Sequence, residues 1–103
     1  MGTFRYDRND EVEFDDRTLL HLQIVIGQKL RRGESFYFTW RDRDNGDKGR
    51  TTIWIHPAVP ITYRYTDDQM PRVNGAWLQL LSDTAYSGNG LQIVLEPADH
   101  PRA

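Results

Sequence analysis

Hydrophobic side chains recur three or four residues apart between residues 14 and 33, which is the spacing of one face of an α-helix. The positions on this face are Leu19, Leu22, Ile26 and Leu30. Asp15 and Asp16 stand before the run, where carboxylates accept hydrogen bonds from free N–H groups and oppose the positive end of the helix dipole. Gly33 follows the run, at a place where a left-handed residue commonly ends a helix. The pattern therefore predicts a helix with a marked start and a marked stop.

A second apolar stripe lies on another side of the same helix and consists of Leu20, Ile24 and Gly27. A helix that is apolar on two sides needs two partners. One interpretation is that this stripe packs on a neighbouring helix, with Gly27 allowing a close approach. The other is that these three residues form the oligomer face of a homodimer.

Alternation of hydrophobic and polar residues predicts the strands. They are expected over residues 3–6, 11–14, 35–41, 50–56, 61–65 and 91–95. The last strand is expected to turn Leu91, Ile93 and Leu95 inward, and Asn45-Gly46 predicts a turn between the third and fourth strands.

A second helix is predicted over residues 71–86, because Pro71 suits a first helical turn and apolar residues follow at helical spacing. Asp67 and Asp68 precede it and are expected at its start. Its buried stripe is expected to consist of Val73, Ala76, Trp77, Leu80 and Leu81.

The order ββαβββαβ predicts an α+β fold in which a mainly antiparallel sheet carries both helices on one face. Residues 1–97 are expected to form this single domain, and residues 98–103 a disordered tail. The opposite face of the sheet is then expected to be open. By strand alternation it would carry Tyr37, Thr39, Arg41, Thr52, Trp54, His56, Thr62 and Arg64.

Composition bounds the class of protein. The 103 residues suit one domain, and a net charge of −2 argues against a binder that holds nucleic acid by overall charge. The absence of cysteine excludes disulfides, thiol catalysis and cysteine metal sites. No apolar stretch has the length of a membrane span, and no secretory signal precedes the fold, so a cytoplasmic location without a membrane partner is expected.

Candidate chemistry is sparse. His21, His56 and His100 lack the spacing of metal ligands, and we expect His21 on the helix surface and His56 at a strand end. Both pairs of aspartates fall at predicted helix starts, where capping accounts for them. Neither a serine nucleophile elbow nor a phosphate-binding glycine loop occurs. The sequence therefore predicts no catalytic residue, no cofactor and no metal.

The open face is the one constellation that suggests a ligand. Tyr37 and Trp54 offer stacking surfaces, and hydrogen-bonding or positive side chains accompany them. These companions are Thr39, Arg41, His56 and Arg64. Aromatic residues with arginines on a sheet hold single-stranded nucleic acid in several modules. The alternatives are ordinary cross-strand pairing and burial in a dimer.

Four segments also resemble a known family. They are Asp15-Asp16-Arg17-Thr18-Leu19, Lys29-Leu30-Arg31-Arg32-Gly33-Glu34-Ser35-Phe36, Gly49-Arg50-Thr51-Thr52-Ile53-Trp54-Ile55-His56-Pro57 and Ala76-Trp77. In them the chain resembles short actinobacterial proteins of unknown function that are often labelled ATP-dependent DNA ligase. Leu-Arg-Arg follows Lys29 and Gly-Arg-Thr follows Lys48, so neither lysine has the Lys-x-Asp-Gly setting of a ligase nucleophile. The resemblance implies an accessory module once linked to a ligase and carries over no catalytic residue; a binding domain that contacts nucleic acid or a DNA-processing partner is the function expected from it.

Overall fold

The structure is a computed structural model that describes residues 1–8, 10–42 and 49–98. Over these residues the fold is α+β, with two helices and six strands in the predicted order ββαβββαβ. The elements are β1 (Gly2–Tyr6), β2 (Asp10–Phe14), α1 (Asp16–Arg31), β3 (Phe36–Asp42), β4 (Gly49–Ile55), β5 (Ile61–Arg64), α2 (Gly75–Ala85) and β6 (Leu91–Gln92). The predicted Asn45-Gly46 turn and residues 99–103 of the predicted tail lie outside the described residues.

The described strands divide into two three-stranded sheets, in the orders β2-β1-β5 and β4-β3-β6. Pairing is antiparallel except between β3 and β6, which run parallel with Phe38 opposite Leu91. The division places Thr62 and Arg64, which belong to β5, in a different sheet from Tyr37 and Trp54. The single open face expected from the sequence is therefore split between two sheets.

Aromatic side chains join the two sheets in the core. Phe4 of β1 and Phe38 of β3 are fully buried, and their ring centroids lie 5.5 Å apart at 84°, an edge-to-face contact. Phe14 and Trp40 extend this contact, with centroids 6.4 Å apart. Phe36, Phe38 and Trp40, which alternate with the residues expected on the open face, are all buried.

The ends of α1 are those expected from the sequence. The Asp15 side chain accepts hydrogen bonds from the Thr18 backbone N–H at 3.2 Å and from the Thr18 hydroxyl at 2.6 Å. Gly33, beyond the last turn, has φ +74°, which a residue without Cβ adopts at no steric cost. Of the predicted core face, Leu19, Leu22 and Ile26 are completely buried, and Leu30 is half-buried.

The α1–α2 contact lies on a different side of α1 from the one predicted. His21 is completely buried and its ring stacks on Trp77 with centroids 4.6 Å apart, so its expected place on the helix surface is wrong. A Cβ added at Gly27 would meet no atom within 4 Å, so Gly27 mediates no close helix approach. The contact is made through His21, whose Nε2 accepts a hydrogen bond from the Asn74 N–H at the start of α2.

The start of α2 and its buried stripe differ from the prediction. Asn74, not Asp67 or Asp68, caps the helix by accepting a hydrogen bond from the Trp77 N–H at 3.2 Å. Asp67 instead accepts from the Gln69 N–H at 3.0 Å in a local turn. The buried positions are Trp77, Leu81 and Ala85, four residues apart, whereas Val73, Ala76 and Leu80 are exposed.

The last strand is shorter than predicted. Only Leu91 and Gln92 pair with β3, and Leu95 is 94% exposed, so its inward orientation is wrong. Beyond Gln92 the chain is held by side chains rather than by a strand ladder. The Trp77 indole N–H donates to the Val94 carbonyl at 2.9 Å, and the Asn74 amide donates to Glu96 at 2.8 Å.

Candidate functional site

The outer face of β3–β4 consists of three cross-strand pairs, each formed by like residues. The pairs are Tyr37 with Trp54, Thr39 with Thr52, and Arg41 with Arg50. Because side chains alternate along a strand, the burial of Phe36, Phe38 and Trp40 turns the intervening residues outward. The sequence thus sets an aromatic pair, a hydroxyl pair and a guanidinium pair in line along two adjacent strands.

The aromatic pair is half exposed. Tyr37 and Trp54 retain 48% and 49% of their accessible surface, although each is large and apolar. Their ring centroids lie 4.8 Å apart with the planes at 67°, so the edge of one ring meets the face of the other. This contact restrains both rings while leaving aromatic surface open to solvent.

A polar row follows the aromatic pair along the strands. The hydroxyl oxygens of Thr39 and Thr52 lie 2.8 Å apart, within hydrogen-bond distance. On the other side of Thr39, the parallel strand β6 places Gln92 in register, and Gln92 is exposed. The row therefore spans three strands and offers donors and acceptors to a ligand.

The arginine pair ends the outer face. Arg41 and Arg50 are opposite each other and exposed, and neither forms an ion pair with another described residue. Like charges directly opposite on a sheet are unfavourable, so an anion between them would relieve repulsion. Arg50 was not among the residues expected on this face, although side-chain alternation from Trp54 through Thr52 leads to it.

The backbone beneath the aromatic pair is fixed from two sides. Gly90 has φ +82°, and a Cβ there would overlap the Tyr37 carbonyl, so the turn before β6 packs directly on β3. On β4, the Trp54 carbonyl accepts a hydrogen bond from the Tyr6 hydroxyl of the other sheet. Burial raises the pKa of Tyr6, further away from neutral pH, where a tyrosine hydroxyl is already protonated and can donate.

Three residues predicted for this face do not contribute to it. Thr62 and Arg64 belong to β5 in the other sheet. His56 is exposed just after β4, where its Nδ1 accepts a hydrogen bond from the Ala58 N–H at 3.1 Å. That bond closes the turn between β4 and β5, so His56 has a local structural role.

The predicted oligomer face is only partly accessible. Leu20 is 2% exposed and cannot contribute to a surface. Ile24 and Gly27 line a groove of about 510 Å³ between α1 and the edge strand β5, with Ile61 and Tyr63 on the opposite wall.

The ionisable groups with strongly shifted pKa values do not lie on the outer face of β3–β4. Hydrogen bonds from Arg17 and Asn74 lower the pKa of Glu96 to about 2. Burial raises the pKa of Tyr63 above its ordinary range and that of Tyr65 to about 12. These groups join structural elements: Glu96, for example, links the chain after β6 to α1 and to the cap of α2.

Lys29 also has a structural setting. It is 5% exposed, and its ammonium lies 4.1 Å from the centre of the Tyr86 ring and 5.3 Å from that of Phe36. Glu34 Oε1 lies 3.1 Å away, an ion pair without hydrogen-bond geometry. Among the described residues, no group of three or more His, Cys, Asp or Glu side chains could hold a metal ion.

No helix within the described ranges is long and apolar enough to cross a membrane.

A search of curated proteins found no match, and neither did a search of solved structures. The model of a family described as a domain of unknown function, DUF7882, matches residues 1–96. Since this match spans nearly the whole chain, the protein belongs to the DUF7882 family.

Proposed function

We propose that this protein is a non-catalytic binding module that holds single-stranded nucleic acid on the outer face of β3–β4. The observation that carries the proposal is the half-exposed pair of Tyr37 and Trp54, in line with the arginine pair on the same two strands. Nucleobases stack on exposed aromatic rings of this kind, so the pair offers a stacking surface to an unpaired base.

The spacing of the pairs suits a chain molecule. Residues on one face of a strand repeat about every 6.8 Å, so the aromatic and arginine pairs are separated by about 13 Å. A base stacked on Trp54 would have its flanking backbone over the threonine pair, and a phosphate further along would meet Arg41 and Arg50. Hydroxyl groups on the threonines would hydrogen-bond to sugar or phosphate oxygens.

An unpaired strand fits this face better than a duplex. Stacking needs a base whose flat surface is free, and paired bases inside a duplex do not offer one. Duplex binding without stacking depends on many phosphate contacts, which a chain with net charge −2 and two arginines on this face does not supply. A local contact of a few nucleotides is the expected scale.

A place beside a DNA-processing protein accords with this proposal. The chain resembles proteins often labelled as ligases but has no Lys-x-Asp-Gly segment. The buried setting of Lys29 is also unsuited to carrying a nucleotide. An accessory domain that holds the substrate strand is therefore the role we assign to it.

The test is fluorescence anisotropy of a labelled oligothymidine titrated with the protein at low salt. We expect binding with a Kd below about 100 µM. Stacking typically contributes about 1–3 kcal/mol per base, so Trp54→Ala should weaken binding by roughly 5- to 150-fold. Arg64→Gln, on the other sheet, is the matched control and should bind like the unmodified protein. Absence of binding, or equal loss in both variants, would refute the proposal.

A further inference from the structure

The groove between α1 and β5, hereafter the β5 groove, has a different character from the outer face of β3–β4. We propose that it binds an extended acidic peptide segment of a partner protein, which adds a fourth strand beside β5. Its walls include Ile24 and Gly27 on one side and Val59, Ile61 and Tyr63 on the other. All five are half-buried, so they leave apolar surface open to solvent. This site is independent of the nucleic-acid proposal.

Among the sheet edges of the described residues, that of β5 is the least protected. The edge strand β2 carries three exposed carboxylates, of Asp10, Glu11 and Glu13, whereas β5 carries one exposed charge, that of Arg64. Charges on an edge discourage pairing with another chain. On the β4 edge the Trp54 carbonyl already accepts the Tyr6 hydroxyl, and β6 is only two residues long. The four residues of β5 pair with β1 alone. The N–H and C=O groups of its other edge are available to an added strand.

The burial of α1 shows where the added strand would lie. Along one stripe of the helix, Leu20 is buried, Ile24 and Gly27 are half-buried, and Arg31 is exposed. The start of this stripe is thus covered and its later part is open. Because alternate side chains of a strand point to one face, a fourth strand would direct every second side chain onto that uncovered part. The open space at Gly27 would accept an apolar side chain.

Charge decides between a partner peptide and a second copy of this protein. Arg31 is the only charged residue among the described residues that line the groove, and Arg64 is exposed on β5 itself. Both are positive, so an acidic residue in the ligand would be complementary. A second copy docked through the same surface would bring the same two arginines and no carboxylate from this set. The acidic segment of a different protein is therefore the favoured occupant.

The test is selection of a displayed library of random decapeptides against the full chain. We expect enriched peptides in which apolar residues alternate and at least one Asp or Glu is present. A synthetic peptide with the most enriched sequence then serves as the probe in calorimetric titration. Gly27→Leu fills the groove at a position where the added Cβ meets nothing, so the variant should fold and lose at least tenfold in affinity for the probe. Trp54→Ala is the matched control and should bind the probe unchanged.

The Arg31→Gln variant should also bind the probe peptide more weakly, and its affinity for the probe should depend less on salt concentration. The proposal is overturned if no peptide is enriched, if enriched peptides lack an acidic residue, or if Gly27→Leu binds as well as the unmodified chain. Sedimentation of the protein without peptide measures its oligomeric state, which tests the alternative occupant of the groove. A dimer at micromolar concentration that Gly27→Leu converts to a monomer would identify a second copy as the occupant and refute the partner peptide.

Discussion

The backbone N–H of Asn74 donates a hydrogen bond to Nε2 of His21 at 2.8 Å, which joins the start of α2 to the middle of α1. The other ring nitrogen, Nδ1, lies 2.7 Å from the Arg17 carbonyl, which can only accept. These two partners place the single ring proton on Nδ1. A completely buried imidazole thus has both nitrogens satisfied while its ring stacks on Trp77.

This relationship predicts that His21→Ala is strongly destabilising. The substitution leaves a cavity against Trp77 and a buried N–H of Asn74 without an acceptor. The expected loss is about 2–4 kcal/mol of unfolding free energy, measured by urea denaturation. His56→Ala, at an exposed turn, should lose less than about 1 kcal/mol. Similar losses at both positions would contradict the role given to His21.

The tryptophans provide a second comparison. Trp77 is 4% exposed and donates to the Val94 carbonyl, whereas Trp54 is 49% exposed. Trp77→Ala should therefore lose about 3–5 kcal/mol, which leaves a domain of this size poorly folded at 37 °C. Trp54→Ala should stay folded with a loss below about 1.5 kcal/mol. Chemical denaturation compares the two, and a larger loss for Trp54→Ala would mean that the outer face of β3–β4 is part of the core.

Two glycines should respond in opposite directions to alanine. Gly27 lies in a helix with open space around it, so Gly27→Ala should raise the unfolding free energy by about 0.5–1 kcal/mol. Gly90 has φ +82° and packs on the Tyr37 carbonyl, so Gly90→Ala should lower it by about 2 kcal/mol or more. Thermal unfolding of the two variants shows whether each substitution raises or lowers the stability. A stabilising effect of Gly90→Ala would show that the turn at Gly90 does not pack directly on β3.

Glu96 should make stability depend on pH in the acid range. Hydrogen bonds from Arg17 and Asn74 lower its pKa in the folded protein from 4.5 to about 2. Because the folded pKa is the lower one, the stabilisation is complete above pH 4.5 and is lost as pH falls toward 2. Glu96→Gln should be less stable than the unmodified protein at pH 7, and the difference should shrink between pH 4.5 and pH 2. A difference that stays constant across this range would contradict the pKa given for Glu96.

Local patterns predicted what depends on neighbours in sequence. Asp15 marks the start of α1 and Gly33 marks its end, as expected. Alternation in β3 and β4 correctly placed Tyr37 and Trp54 on one exposed face. Capping residues and side-chain alternation act over a few positions, so the chain itself carries the information.

Contacts between distant residues decided what the sequence did not reveal. Asp68 could cap a helix as well as Asn74, but Asn74 also bonds to His21 and Glu96, and these partners fix where α2 begins. Alternation likewise shows which side chains share a face of one strand, but not which strands are neighbours. Arg64 was therefore expected on the same sheet face as Trp54, although β5 belongs to the other sheet.

Binding of single-stranded nucleic acid to the outer face of β3–β4 can be followed residue by residue in a ¹H–¹⁵N correlation spectrum of the protein, recorded as oligothymidine is added. We expect the indole N–H signal of Trp54 to shift, while those of Trp40 and Trp77, which are 7% and 4% exposed, stay in place. Backbone signals of Arg41 and Arg50 should shift together with that of Trp54. If the Trp54 signal does not move, or if the shifts map to the β5 groove, nucleic acid does not bind on this face.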